Sequence, residues 1–164
     1  MLKANVDMQS RHHDDGSSIY SFANLFFVRC PKCDSCAQVV RIGDVTFRPP
    51  GRLTCTYCGH AKERCLSGWS NNEPRDWYFQ LPLWLQTPCC GHVLWAFNLE
   101  HLSFLESYVE ADHRIGLMEG DPERLRLRNA TLASRLPEWM IVAKHRTEVL
   151  KCIDKLRQLA PAQQ

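Results

Sequence analysis

The sequence lacks the segments that mark membrane and secreted proteins. Its longest apolar stretches, such as residues 81–85, are far too short to span a bilayer. Residues 1–15 are polar and contain no apolar run of the signal-peptide type. No internal repeat or low-complexity tract is visible. These absences predict a cytoplasmic protein without a membrane partner.

The sequence also lacks the motifs that identify common enzymes. Gly-x-Ser-x-Gly, the phosphate-binding loop and the dinucleotide fingerprint are all missing. The formal net charge is +2 for 164 residues, which is too small to predict nucleic-acid binding by itself. A hydrophobic content of 45% indicates a folded chain. We therefore expect a globular protein that is not an enzyme.

Cysteine, in contrast, is abundant, with nine residues in the chain. In a reducing compartment, paired cysteines indicate metal ligands before disulfides. Two Cys-x-x-Cys pairs are separated by 21 residues. Four thiolates complete a tetrahedral shell around Zn²⁺ and leave no position for water. The spacing therefore predicts one structural zinc ion as the cofactor, bound by Cys30, Cys33, Cys55 and Cys58.

Other cysteines leave two alternatives open. Cys36 also follows Cys33 at Cys-x-x-Cys spacing and can replace Cys30 as a ligand. Cys30 is favoured because a predicted strand ends there and Pro31 stiffens the turn that follows. Residues 89–92, Cys-Cys-Gly-His, have side chains suited to a second metal (Cys89, Cys90 and His92) or to redox chemistry, although a turn between two strands is the favoured interpretation.

The pattern of apolar residues predicts an α+β fold. Strands lead into both cysteine turns, as an antiparallel ribbon requires. Helical periodicity extends over residues 99–114 and again over residues 144–159, and we expect the two apolar stripes to pack against each other. The predicted parts are a flexible leader (1–19), a Cys₄ zinc ribbon with a small antiparallel sheet (20–66), a linker and β extension (67–98) and a helical C-terminal lobe (99–164).

Within the β extension, residues 77–81 and 92–97 have the composition of strands. We expect them to pair as a hairpin that extends the ribbon sheet. Asn98 and Thr131 have side chains suited to capping the helices that follow them.

The C-terminal part carries an excess of positive charge. Residues 114–157 contain ten Lys or Arg and six Asp or Glu. The excess predicts contact with phosphates or with an acidic protein. The interleaved acids favour a solvated helical surface over this interpretation. The densest part of the excess consists of Arg124, Arg126, Arg128 and Arg135.

Residues 25–64 resemble the zinc ribbon of the transcription-factor-IIB type. The motifs that carry the resemblance are Cys30-Pro31-x-Cys33 and Cys55-x-x-Cys58-Gly59. Residues 94–102 and 134–140 are similar to a family of bacterial hypothetical proteins in which such a ribbon precedes a helical part. The resemblance implies the fold and the four zinc ligands, and it implies neither an enzyme activity nor a role in transcription.

Together these features predict a non-catalytic zinc-binding protein that acts as a protein- or nucleic-acid-binding module. One alternative is a small cytosolic inhibitor or immunity-type protein that blocks a partner enzyme, which fits the small size and the missing catalytic motifs. Another alternative is an enzyme that uses the turn at residues 89–92.

Overall fold

The computed structural model describes residues 11–13, 16–43, 49–66, 73–111, 113–115 and 131–161. The strands are β1 (Arg11–His13), β2 (Leu25–Arg29), β3 (Cys36–Arg41), β4 (Pro50–Thr54), β5 (Ala61–Cys65), β6 (Gln86–Cys89), β7 (His92–Trp95) and β8 (His113–Ile115). The α-helices are α1 (Leu99–Glu110), α2 (Leu132–Arg135), α3 (Glu138–Ile141) and α4 (Arg146–Leu159), with 3-10 turns at Ile19–Phe22 and Ala143–His145. The predicted α+β class is confirmed.

Strands β2 to β5 form a four-stranded antiparallel sheet in sequence order. Side chains alternate between its two faces, as the period of two in a strand requires. Val39 and Leu53 are buried beneath the sheet, whereas Gln38, Arg52 and Thr54 face outward. One face of the ribbon sheet therefore covers a hydrophobic core, and the other is open over β3 and β4.

Strand β2 is buried on both faces. Phe26 and Val28 enter one core, and Phe27 between them enters a second core. Its free edge is covered, because Phe27 N–H donates to Phe97 O at 2.8 Å and Phe27 O accepts from Trp84 N–H at 2.8 Å. The continuous apolar run at residues 25–28 is typical of a strand with no solvent-facing side.

The first core lies between the ribbon sheet and an aromatic group. Gly51 on β4 lets the ring of Tyr78 approach the sheet, since a Cβ there would lie 2.6 Å from two ring carbons. The rings in this core contact one another edge-on or tilted, at centroid distances of 4.6 to 6.1 Å. They belong to Phe26, Trp77, Tyr78 and Phe97.

The second core joins the helices to the β6–β7 hairpin. The stripe Leu102, Leu105 and Val109 on α1 and the stripe Val149, Ile153 and Leu156 on α4 are buried in the same cluster, which confirms that the two stripes pack together. At the surface, Arg157 on α4 forms an ion pair with Glu106 on α1. Trp84 Nε1–H donates to Leu159 O at 2.8 Å and fixes the end of α4.

The strand predicted at residues 77–81 is wrong, because Trp77–Phe79 form a turn. The carboxylate of Asp76 is fully buried and accepts the backbone N–H groups of Tyr78, Phe79 and Leu81 at 2.7–2.8 Å. An aspartate that accepts N–H groups of the residues after it stabilises a turn in place of a strand ladder.

The predicted hairpin has a different first strand. β7 pairs with β6, and the two form a separate two-stranded sheet instead of extending the ribbon sheet. The connecting residues Cys90 and Gly91 have φ angles of +50° and +79°. Two consecutive residues with positive φ form the tight turn that suits the twist of a hairpin. The interpretation of residues 89–92 as a turn between strands is therefore confirmed.

Two further boundaries differ from the sequence prediction. Helix α1 ends at Glu110 instead of residue 114, and β8 follows at His113. β8 pairs in parallel with β1, so Arg11–His13, within the leader predicted over residues 1–19, form a paired strand. The predicted caps are confirmed: Asn98 Oδ1 accepts from His101 N–H at 2.9 Å, and Thr131 Oγ1 from Ser134 N–H at 3.2 Å.

His101 is a core residue, with 2% of its surface exposed. Its ring stacks on Phe22 at a centroid distance of 5.1 Å, and its Nδ1 accepts the N–H of Phe97 at 3.3 Å. Burial lowers the pKa of His101 to about 3. The imidazole is therefore neutral at physiological pH, with its proton on Nε2.

We predict that Gly51→Ala destabilises the protein by about 1–3 kcal/mol, because the new methyl group would overlap the buried Tyr78 ring. Urea unfolding measures the change. Thr54→Ala, on the exposed face of the same strand, is the matched control and should shift the free energy of unfolding by less than about 0.5 kcal/mol. Equal stabilities for Gly51→Ala and the wild type would contradict the close approach of Tyr78.

We also predict that His101 makes the protein sensitive to acid. The unfolded chain takes up a proton on this residue below its ordinary pKa of 6.5, whereas the folded chain does so only near pH 3. Stability is therefore lost as the pH falls from 6.5 toward 3, by at most about 1.4 kcal/mol per pH unit. Urea unfolding between pH 7 and 4 should show a shallower pH dependence in His101→Phe, and identical slopes would contradict the prediction.

Candidate metal centre

Two tight turns, here called knuckles, carry the paired cysteines. The first knuckle follows β2 and the second follows β4. Both have the same backbone pattern, in which the first cysteine N–H donates to the carbonyl five residues later. Cys30 N–H donates to Ser35 O at 2.8 Å, and Cys55 N–H donates to His60 O at 2.9 Å. The two knuckles are therefore local copies of each other, facing one another across the end of the sheet.

The residue after each second cysteine has a left-handed backbone. Gly59 has φ +71° and Asp34 has φ +57°. Glycine adopts this region without a steric cost, and aspartate is one of the few other residues that tolerate it. The N–H groups of these residues donate to the carbonyls of Cys55 and Cys30 at 2.9 and 3.0 Å and close the turns. Each closed turn aims its two sulfurs at the same point.

The four sulfur atoms lie within 4.8 Å of one another and could hold a metal ion. The Cys30 and Cys58 sulfurs are 3.7 Å apart, and those of Cys33 and Cys55 are 3.6 Å apart. A regular tetrahedron with Zn–S bonds of about 2.3 Å places its sulfurs about 3.8 Å apart. A disulfide needs about 2.05 Å. The spacing therefore fits four ligands around one ion and does not fit two disulfides.

The thiols of the cluster do not ionise alike. Hydrogen bonds from the backbone and hydroxyl of Ser35 lower the pKa of Cys33 to about 6 against the opposing effect of desolvation. Although the His60 backbone N–H favours its thiolate, desolvation and the three neighbouring thiols raise the pKa of Cys58 to about 12. Four adjacent thiolates repel one another unless a cation lies between them. Binding of a metal at neutral pH must therefore release protons.

The cluster is closed on the side of the first core. Cys30 and Cys55 are buried there, Cys33 is half-buried, and Cys58 is exposed. Lys32 N–H donates to the Cys30 sulfur at 3.4 Å. Such N–H groups hold a ligand in place and offset part of its charge. Four cysteines would fill a tetrahedral shell, so the arrangement suits a structural ion and offers no position for a substrate.

The structure separates Cys36 from the cluster. Its sulfur lies 3.9 Å from the carbonyl oxygen of Ala37 at the start of β3. Burial raises the pKa of Cys36 to about 11, which disfavours the thiolate. Among the two alternatives for the first pair, the geometry supports Cys30 with Cys33.

Residues 89–92 do not assemble a second centre. The sulfurs of Cys89 and Cys90 are 3.9 Å apart, but burial raises the pKa of Cys89. His92 stacks on Trp139, with ring centroids 4.8 Å apart and an interplanar angle of 10°. Within the described part of the chain, the group at Cys30, Cys33, Cys55 and Cys58 is the one in which three or more metal-binding side chains meet.

The predicted basic site is only partly described. Arg124, Arg126 and Arg128 lie outside the described residues. Arg135 is exposed at the end of α2. Sequence reasoning missed the role of Ser35 beside Cys33, since neither the spacing nor the composition of the motif marks it.

No family model, curated protein or solved structure matches this chain. The resemblance to the transcription-factor-IIB-type ribbon stays a prediction that rests on the motif residues. Across the described residues, no helix has both the length and the apolar character needed to cross a bilayer.

We predict that Cys30→Ser loses the bound metal and unfolds the ribbon, because metal-binding energy is folding energy in such centres. The matched control is Cys36→Ser, which should retain the metal, since Cys36 lies outside the cluster. Elemental analysis of purified protein should give about one zinc ion per wild-type chain. An exchange of the two phenotypes would assign the first pair to Cys33 and Cys36.

Proposed function

We propose that this protein is a non-catalytic binding module whose ribbon is held rigid by one structural Zn²⁺. The support comes from the sulfur spacing at Cys30, Cys33, Cys55 and Cys58, which suits a tetrahedral ion with no open position. The ion takes no part in a reaction, and the module acts by binding a partner through its surface.

We infer that the partner is a polyanion, with single-stranded nucleic acid as the first choice and an acidic protein as the second. The ribbon residues 25–43 and 49–66 carry an excess of positive charge. Two of its cations form ion pairs, Arg29 with Asp34 at 3.4 Å and Arg52 with Glu63 at 2.7 Å. The full set is six cations against two acids, namely Arg29, Lys32, Arg41, Arg52, Lys62 and Arg64 against Asp34 and Glu63.

The metal end of the ribbon also presents an aromatic ring. Tyr57, between Cys55 and Cys58, is 79% exposed. Lys32 occupies the corresponding exposed tip of the other knuckle. The two knuckles converge on one cluster, so the ring and the ammonium group belong to the same end of the molecule. An exposed ring beside cations is the arrangement on which unpaired bases stack while their phosphates are neutralised.

The test is the affinity for fluorescently labelled oligo(dT) measured by anisotropy over a range of salt concentrations. Lys32→Ala and Lys62→Ala should each reduce the slope of log affinity against log salt by about 0.7, as expected for one lost single-strand phosphate contact. Tyr57→Ala should weaken binding by about tenfold or more, because a stacked base contributes about 1–3 kcal/mol. Lys155→Ala, which removes an exposed lysine of α4 outside the ribbon, is the matched control and should change neither quantity.

The two parts of the proposal fail separately. Salt-independent or undetectable binding of oligo(dT) by zinc-loaded protein would exclude nucleic acid as the partner. It would not contradict the proposal of a structural zinc ion. Binding of a poly-glutamate peptide with the same dependence on Lys32 and Lys62 would favour the acidic protein. Folded, reduced protein without zinc would overturn the structural-metal part.

A further inference from the structure

A cleft of about 670 Å³ is separate from the cysteine cluster, since none of its lining residues is a cysteine. The β6–β7 hairpin, α1 and the segment that carries α2 and α3 contribute its walls. Its surface is mainly apolar and aromatic, with Trp95, Leu105, Trp139 and Met140 among the lining residues. Both the volume and the composition are typical of sites for small molecules.

Aromatic rings form part of the lining of the cleft. His92 and Trp139 stack on each other, with ring centroids 4.8 Å apart and an interplanar angle of 10°, and both line the cleft together with Trp95. Planar groups bind well against such surfaces because they bury a large area with few rotatable bonds. The charged side chain on the lining is Arg135, which is exposed, and no Asp or Glu lines the cleft. The walls therefore disfavour a cation and accept a planar, apolar body.

The lining also contains one deeply buried polar group, the imidazole of His101. Its Nδ1 already accepts the N–H of Phe97, so the proton of the neutral ring is on Nε2. No oxygen or nitrogen of the described residues accepts a hydrogen bond from this Nε2–H. Nε2 is also not among the fully buried polar atoms that lack a partner. The small exposed part of His101 therefore includes Nε2, and His101 is one of the residues that line the cleft.

A nearly buried donor has little contact with water, so a ligand that supplies an acceptor there gains a hydrogen bond at a small desolvation cost. The acceptor that fits at His101 is neutral, because burial keeps His101 uncharged and a carboxylate against it would lose its hydration, whereas the cation of the lining, Arg135, lies exposed. A ketone, amide or lactam oxygen meets both conditions.

We propose that the cleft is a binding site for a small planar apolar molecule that bears a carbonyl oxygen, which accepts a hydrogen bond from His101 Nε2–H. The ring system of the ligand lies against the apolar and aromatic walls, and its carbonyl reaches the deepest part of the lining. This site is independent of the zinc centre and of the polyanion surface on the ribbon.

Two probes of nearly equal shape test the proposal. 2-Acetylnaphthalene has the carbonyl oxygen, and 2-ethylnaphthalene lacks it. We expect the acetyl compound to bind the wild-type protein about tenfold more tightly, as one satisfied buried hydrogen bond predicts. Nuclear magnetic resonance should show shifts of the Trp95 and Trp139 indole signals with both compounds and of the His101 Nε2–H signal with the acetyl compound alone. Equal affinities, binding of neither probe, or shifts confined to other residues would overturn the proposal.

Variants separate the contribution of the hydrogen bond from nonspecific hydrophobic binding. His101→Phe keeps a ring that can stack on Phe22 and removes the donor, so the affinity ratio of the two probes should fall to one or below, because the carbonyl would then be buried without a partner. Leu136→Trp adds bulk to a half-buried lining residue and should abolish binding of both probes, which provides a test if His101→Phe does not fold. Thr54→Ala on the ribbon is the control and should retain the wild-type ratio. A wild-type ratio in His101→Phe, or undiminished binding in Leu136→Trp, would refute the assignment.

Discussion

Strand β2 is the constraint on which both halves of the molecule depend. Phe26 and Val28 belong to one core and Phe27 to the other, so a single extended segment crosses the boundary between them. Backbone hydrogen bonds from Trp84 and to Phe97 cover the edge that the ribbon leaves unpaired. Removal of β2 would expose two cores at once, and a shift of its register by one residue would exchange the side chains that fill them.

The cysteine cluster acts on the same strand. Cys30 follows directly after β2, and Cys30 and Cys55 are counted among the buried residues of the first core. An ion between the knuckles would therefore fix the end of β2 as well as the two turns. Zinc binding and burial of Phe26, Trp77 and Phe97 would then be coupled, because each restricts the same backbone. The ribbon is small, and such coupling compensates for its limited core.

The sequence was informative where one local pattern decides the structure. The Cys-x-x-Cys spacing predicted the four cysteines whose sulfurs lie together in the structure. The periodicity of apolar residues predicted α1, α4 and the interface between them. It failed where a side chain competes with the backbone pattern. Residues 77–81 have the composition of a strand, but the Asp76 carboxylate binds three of the following N–H groups and forms a turn. Composition also gave no indication that His101 is buried, since that depends on rings distant in sequence, such as Phe22.

The outer edge of the ribbon sheet has a consequence for solubility. All five residues of β5 are exposed, and its far side has no neighbouring strand within the described residues. An unpaired edge is a template for aggregation, because its free N–H and C=O groups can recruit a strand from another chain. Lys62, Glu63 and Arg64 lie in the middle of this strand. An incoming strand would have to strip water from three consecutive charges, so the charged run acts as a gatekeeper against amyloid-like growth at this edge.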